Sequence, residues 1–561
     1  MYIEPKAITA ALKTVEQYII HRSYKHRKTR LMIPCFVCLD HLKAPKPSSH
    51  WNFGFSKAFL FLSLHSITQI LVMWGRQRNL YSTYKRISSK ERLNGNASED
   101  SLGRSPSGVL KEAGLPSWKR PLPHVLVATL SSFLFGYHLG IVNDTLESIS
   151  LDLSFRGSTL AEGLVVSACL GGAFIGSLFS GWTADGVGRR RAFQLCALPM
   201  IIGASVSATA TTLRGMLLGR LFVGMGMGLG PPVAALYVAE VSPAFVRGTY
   251  GSCTQIATCL GLMASFFVGI PSKEVMGWWR VCFWVSALPA ALLAILMEFC
   301  AESPHWLFKR GRMAEAEENT ERLFGASHVK YAMAELTKSD RGDEVDTVKF
   351  SDLFIGRHVR VVFLGSTLLA LQQLSGINAV FYFSSTVFTS AGVPSDIANI
   401  CVGIVNLSGS IIAMVLMDKM GRKGLLLWSF SGMAISMGFQ VIGASSLLSG
   451  SVVLYLSVGG MLLFVLTFSL GAGPVPSLLL SEILPARIRE KAMAVCMAVH
   501  WVINFFVGLL FLRLLEQLGP QILYAAFGTF CFVAVVFVRK NIVETKGKTL
   551  QEIEMAFLPA D

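Results

Sequence analysis

From residue 121 onward the chain contains twelve apolar runs of about 20 residues, the length one bilayer crossing needs. They fall at 122–142, 160–182, 192–212, 216–238, 251–271, 279–299, 360–384, 397–417, 425–447, 452–480, 491–512 and 519–538. A helix rises about 1.5 Å per residue and the hydrocarbon layer is about 30 Å thick, so each run can span it. The reading is an all-α membrane protein of twelve helices. The gap at 300–359 divides the runs six and six. It sets a first bundle at 121–299, a linker with short helices at 300–359, a second bundle at 360–538 and a tail at 539–561. Only 15% of the 561 residues are charged, against about 25% in soluble domains, which excludes an ordinary soluble enzyme of this size. With 52% hydrophobic residues the chain as a whole is not disordered either.

The net charge of +15 is unevenly spread. Residues 1–120 carry 20 Lys+Arg against 7 Asp+Glu, whereas residues 121–561 carry 30 against 28. The body has no basic stripe interleaved with aromatics, so no nucleic-acid partner is expected. A basic tail beside the anionic face of a lipid bilayer is the simpler account. Within the body, Arg189, Arg190, Arg191, Arg247, the segment from Lys309 to Arg357, Arg422, Lys423, Arg487, Arg489 and Lys491 fall in alternate gaps. The other gaps hold Arg156, Arg214, Lys273 and Arg513. The positive-inside rule therefore puts both ends of the twelve-span body on one, cytosol-like face.

The tail, 1–120, reads as mostly disordered, with one exception. Residues 53–74 are apolar enough for a thirteenth span or an interfacial helix, although Lys57 and His65 weaken the span. Met73 is an alternative start, and residues 1–52 loosely have the basic, acid-poor character of a targeting segment. Cys35, Cys38 and His41 have partial metal-ligand spacing, but a structural zinc site needs four ligands. No metal and no cofactor is expected. Most other cysteines sit inside apolar runs as small hydrophobes.

The two halves repeat a pattern that a topological bias toward Arg does not explain. Asp185-Gly-Val-Gly188-Arg189-Arg190 follows the second run, and Asp418-Lys-Met-Gly421-Arg422-Lys423 follows the eighth. Glu240-x-x-Pro243-x-x-x-Arg247 follows the fourth, and Glu482-x-x-Pro485-x-x-x-Arg489 follows the tenth. Parallel repeats of this kind are a transporter architecture.

On these motifs the chain resembles the sugar porter branch of the major facilitator superfamily, over about 120–555. Further matching stretches are Glu302-Ser-Pro-His-Trp306-Leu307, Gln372-Gln373-Leu-Ser-Gly376-Ile-Asn378-Ala-Val-Phe-Tyr382 and Glu544-Thr-Lys-Gly547-Lys548. The resemblance implies a 12-helix major facilitator fold of two pseudo-symmetric six-helix bundles, working as a monomer, that moves a small neutral sugar by alternating access. It also implies a gate in which Asp185, Arg189, Glu240, Arg247, Asp418, Arg422, Glu482 and Arg489 form ion pairs between the bundles. Such pairs repay desolvation only in good geometry, so they suit a switch.

A hexose is neutral and covered with hydroxyls, so its site should offer amides, which both donate and accept, and aromatic surface. Mid-run candidates are Gln255, Gln372, Gln373, Asn378, Asn406 and Asn504, with Trp501 and Phe381 beside them; the resemblance gives all eight as sugar contacts. Asn378 lies about 140° around a straight helix from Gln373. The two converge only if the helix breaks, and Ser375-Gly376 is where it can. Ser477 and Ser469 stand where many sugar porters have Trp and Glu. Pro474 and Pro476 allow a bend in the tenth span.

There is no Walker A loop, since Gly547-Lys548-Thr549 lacks the earlier Gly, and no nucleophile–base constellation, so an enzyme is not expected. Proton-coupled sugar porters resemble Phe-Gly-Tyr-Asp in the first span, with the Asp facing an Arg in the fourth. This chain has Phe135-Gly136-Tyr137-His138, and the Arg is Arg220. Like charge and desolvation disfavour a proton on a histidine beside Arg⁺. That favours uniport over proton symport. A transporter-like sugar sensor is a further alternative. His138, Val142-Asn143 and the 471–476 run resemble the plant plastidic glucose transporter group, which implies glucose and a plastid envelope, with Golgi or another endomembrane as the alternative. Asn143-Asp-Thr145 also fits a glycosylation sequon.

Overall fold

The structure is a computed structural model. It describes residues 116–561 except 244–245, 271–272, 274–276, 341–352, 355–357, 391–393, 446–450, 486–487 and 547–561, and except the side chains of 338–340, 390, 395, 418, 451 and 490. The readings of 1–52, 53–74 and the Cys35–Cys38–His41 group therefore lie outside the described residues, as does Gly547-Lys548.

The described residues form helices and turns, with no strand among them. The first half has α1 (Leu122–Asp152), α2 (Thr159–Val187), α3 (Arg189–Thr209), α4 (Leu213–Val241), α5 (Arg247–Gly269) and α6 (Trp278–Glu298). Three short helices follow: α7 (Pro304–Lys309), α8 (Met313–Phe324) and α9 (Ala326–Asp340). The second half has α10 (His358–Leu374), α11 (Ile377–Ser390), α12 (Ser395–Met420), α13 (Arg422–Gly443), α14 (Ser451–Thr467), α15 (Val475–Ile483) and α16 (Arg489–Asn541). Several helices run longer than the apolar runs, α1 by ten residues, because a helix does not stop where the hydrocarbon does. Two of them are capped at their N-termini by side chains: the hydroxyls of Ser158 before α2 and Thr212 before α4 accept the N–H of Ala161 and Gly215.

Among the described residues, eleven helical segments are long and apolar enough to cross a membrane. The twelfth crossing is inside α16, whose 53 residues would measure about 80 Å if straight. Gly519 takes φ 78° and ψ 163° within it, and Pro520 opens the next turn. The seventh crossing is broken as the angular argument requires. α10 ends at Leu374, and Gly376, at φ 88°, starts α11 on a new axis. The tenth is broken as well, by a π turn at Phe468–Ala472 ahead of Pro474 and Pro476.

Inside the first half, helices meet at glycines. A Cβ on Gly136 of α1 would stand 1.9 Å from the Thr258 carbonyl oxygen, and one on Gly261 of α5 would stand 1.9 Å from that of Phe133. In lipid, packing of close backbones is what holds helices together. Gly261→Val is expected to push α1 and α5 apart at a cost of about 1–3 kcal/mol, read as a lowered melting temperature in detergent. An unchanged melting temperature would contradict this contact. Between halves, α2 packs on α16, α5 on α12, and α1 on α11.

Candidate functional site

The break in the seventh span makes the candidate site. Gln372 and Gln373 end α10, and Asn378 begins α11. Gln373 is 2% exposed, and the Asn378 amide donates to its Oε1. Gln373 Nε2 lies 3.0 Å from His500 Nδ1 of α16 and 3.4 Å from the Gln372 oxygen. Gln372 Nε2 donates at 2.6 Å to the Ala472 carbonyl. The sequence leaves that carbonyl available: Pro476, four residues on, has no N–H to give it. Two broken spans are thus tied together through one buried amide.

The remaining candidates divide. Asn504 accepts from the Tyr382 hydroxyl at 3.3 Å, which joins α16 to α11. Asn406 of α12 accepts from Ser469 at 2.6 Å; the serine in place of a glutamate is a neutral partner for an amide. Trp501 is 3% exposed. Its ring meets Phe135 of the first half edge-on at 6.0 Å and His500 at 4.9 Å, and its buried Nε1 has no partner. Phe381 packs edge-on against Phe468 at 6.4 Å. Gln255 of α5 is half-buried, and its described bond is to Cys259 in its own helix. The geometry thus brings Gln372, Gln373, Asn378 and Asn504 around the α11–α16 contact, and leaves Gln255 and Asn406 without a described bond to them. His500 is the member of this group the sequence reading missed. A histidine next to Trp501 in an apolar run was the available signal.

His138 and Arg220 are 1% and 2% exposed. The guanidinium reaches backbone oxygens, Val165 at 3.3 Å and His138 at 3.5 Å. Neither histidine ring nitrogen has a partner. The Phe283 ring lies 5.9 Å from the guanidinium. None of the ion pairs described joins Arg220 to a carboxylate.

The motifs at the basic end correct one expectation. Arg189 makes a two-pronged bond to Glu240, 2.9 Å on each side, and reaches Asp185 at 3.0 Å. Arg422 holds Glu482 at 2.8 Å, and Thr545 donates to the same carboxylate at 2.6 Å. These pairs lie within each half, not between the halves. The reason is topological. The acid ends the fourth span of its half and the Arg begins the third, and both belong to one bundle. Arg247 is exposed at the start of α5, and Arg489 donates to the Leu484 carbonyl at 3.2 Å. The Asp418 side chain lies outside the described residues.

The repeat extends to two further acids. Glu302, after the sixth span, accepts the backbone N–H of Arg189 and Ser303 at 3.0 and 2.8 Å. Glu544, after the twelfth, accepts those of Arg422 and Lys423 at 2.9 and 3.0 Å. Each caps the first turn of its half's third span, where the helix dipole favours an anion. Burial dominates at Glu302 and raises its carboxyl above the ordinary range, against the N–H bonds. At Glu544 burial also opposes the charge, but four backbone N–H bonds outweigh it and hold the carboxyl below the ordinary range.

A family model described as "Sugar (and other) transporter" matches residues 124–557. The chain belongs to the sugar porter family of the major facilitator superfamily. Among its relatives in Arabidopsis thaliana, "Probable plastidic glucose transporter 3" is 70% identical over 474 residues, 84% of this chain and 96% of that one. "Plastidic glucose transporter 4" is 45% identical over 440 residues, 78% and 80% of the two chains. The solved proton:xylose symporter XylE from E. coli, bound to 6-bromo-6-deoxy-D-glucose, superposes with a TM-score of 0.68 at 29% identity, over 78% of this chain and 99% of that one. This membership agrees with the two six-helix halves and with the resemblance read from the motifs.

Proposed function

We propose that this sugar porter carries glucose across a plastid envelope membrane by facilitated uniport, with no enzymatic activity. The amide cluster at the broken seventh span carries the reading. Gln373, Asn378 and His500 offer donors and acceptors in fixed positions beside the open N–H of Trp501, which is what a neutral polyhydroxyl ligand requires. The Arabidopsis relatives named as plastidic glucose transporters support both the sugar and the envelope. Uniport rests on the position of His138. With Arg220 bonded to carbonyls and a histidine where symporters place a carboxylate, no group here takes up a proton and releases the arginine.

The test is uptake of radiolabelled glucose by the full chain in proteoliposomes, with and without an imposed pH gradient. Equilibration to equal concentrations in both cases is expected. Accumulation above the outside concentration, driven by the gradient, would overturn uniport and favour proton symport, the mode named for XylE. Binding without flux would favour a sensor. Competition by galactose and xylose ranks the sugars.

A further inference from the structure

At the end opposite the basic face, side chains bond from one half to the other. There Asn143 of α1 donates to Ser384 of α11 at 2.6 Å and accepts the Ser385 N–H at 2.9 Å. Asn143 is 4% exposed, so the sequon at 143–145 is a buried contact and not a glycan acceptor in this fold. Asp144, the next residue, accepts from Ser385 Oγ at 3.1 Å and from Asn399 Nδ2 of α12 at 2.9 Å. Above them Lys273, in the α5–α6 connection, pairs with Asp396 of α12 and stacks over the Trp278 ring at 5.6 Å.

We propose that Asp144, Lys273 and Asp396 form an ionic latch that closes the transport path at the end opposite the basic face. The inference rests on the alternating-access reading and adds the group that governs one of its two states. Three observations carry it. Every bond named crosses from one half to the other. Two carboxylates serve the seam, Asp144 of the first half bonded to Ser385 and Asn399 of the second, and Asp396 of the second half paired with Lys273 of the first. And the path beneath cannot open on this side while these bonds hold, because α1, α5, α11 and α12 are the helices that meet there. A carboxylate bonded by a neutral hydroxyl and an amide across a seam is stronger than a neutral acceptor in the same place. Rotation of the halves must break these bonds, so the latch exists in one state only. It thereby sets how often this end opens.

The experiment uses the full chain in membrane vesicles with this face outward. Met263 of α5 is 1% exposed and faces Gly403 of α12 across the seam. A Met263→Cys reporter is treated with a membrane-impermeant maleimide and labelling is read at that residue by peptide mass spectrometry. Lys273→Asp is expected to raise the labelling rate about five-fold, and Asp144→Ala about ten-fold. The charge swap, Lys273→Asp with Asp396→Lys, should return the rate to within about two-fold of the starting value. Rates unchanged by both single substitutions overturn the proposal. So does a swap that labels as fast as Lys273→Asp alone, since lost charge pairing would then not be the cause. Melting temperatures run alongside, and a rise in labelling matched by wholesale unfolding also counts against the latch. Uptake is assayed separately. Absent flux with the expected labelling pattern supports the latch while removing the transport reading.

Discussion

Gln373→Ala is expected to reduce the efficiency of glucose uptake by roughly 30- to 150-fold, equivalent to about 2–3 kcal/mol. Gln373 is where the broken helix closes on itself. Its oxygen takes the Asn378 amide and its nitrogen meets His500. Truncation removes one ligand and leaves two half-buried polar side chains, Asn378 and His500, without the partner that aims them. The loss should therefore exceed that of a single sugar hydrogen bond, which contributes about 0.5–1.5 kcal/mol. Asn406→Ala is the internal comparison. Its amide is bonded to Ser469 and is not part of the same chain of bonds, so its effect should be near the single-bond value. Initial rates over a range of glucose concentrations separate the two. Equal effects of the two substitutions would mean that the α10–α11 break is not the centre of the site.

Arg189→Ala should produce the largest loss of stability, about 3–5 kcal/mol, because it strands a buried carboxylate. The Arg189 side chain is 5% exposed and that of Glu240 is 9% exposed. Removing the cation leaves Glu240 without its described cationic partner and takes the same partner from Asp185. The pseudo-equivalent pair, Arg422 with Glu482, is 18% and 19% exposed, and Thr545 also serves Glu482. Arg422→Ala should therefore cost less. The order of the two melting temperatures is the test. If Arg422→Ala proves the more damaging, burial is not what sets the strength of these pairs.

Much of this arrangement was legible from residue order. Run length gave the crossings, because 20 apolar residues have few alternatives in lipid. The break at Ser375-Gly376 followed from the 100° step of a helix and the need for Gln373 and Asn378 to meet. The repeated acids and arginines were expected to pair between the bundles, and Arg189 with Glu240 and Arg422 with Glu482 pair within them. Matched motifs reveal which residues act together, yet not whether partners sit in one bundle or in two. Asp144 and Lys273 were not marked as functional because nothing in their local sequence distinguishes them, and His500 was passed over although a histidine beside Trp501 in an apolar run was a signal.

Sequence alone determined what local physics controls: the spans, the two halves, the basic face and the amides placed in apolar surroundings. The tertiary structure decided the pairings. Arg189 found Glu240 51 residues away, and Asp144 found Asn399 255 residues away. A hydrogen bond requires its two groups within about 3 Å. Which distant groups come that close is fixed by how twelve helices pack, and no single segment carries that information.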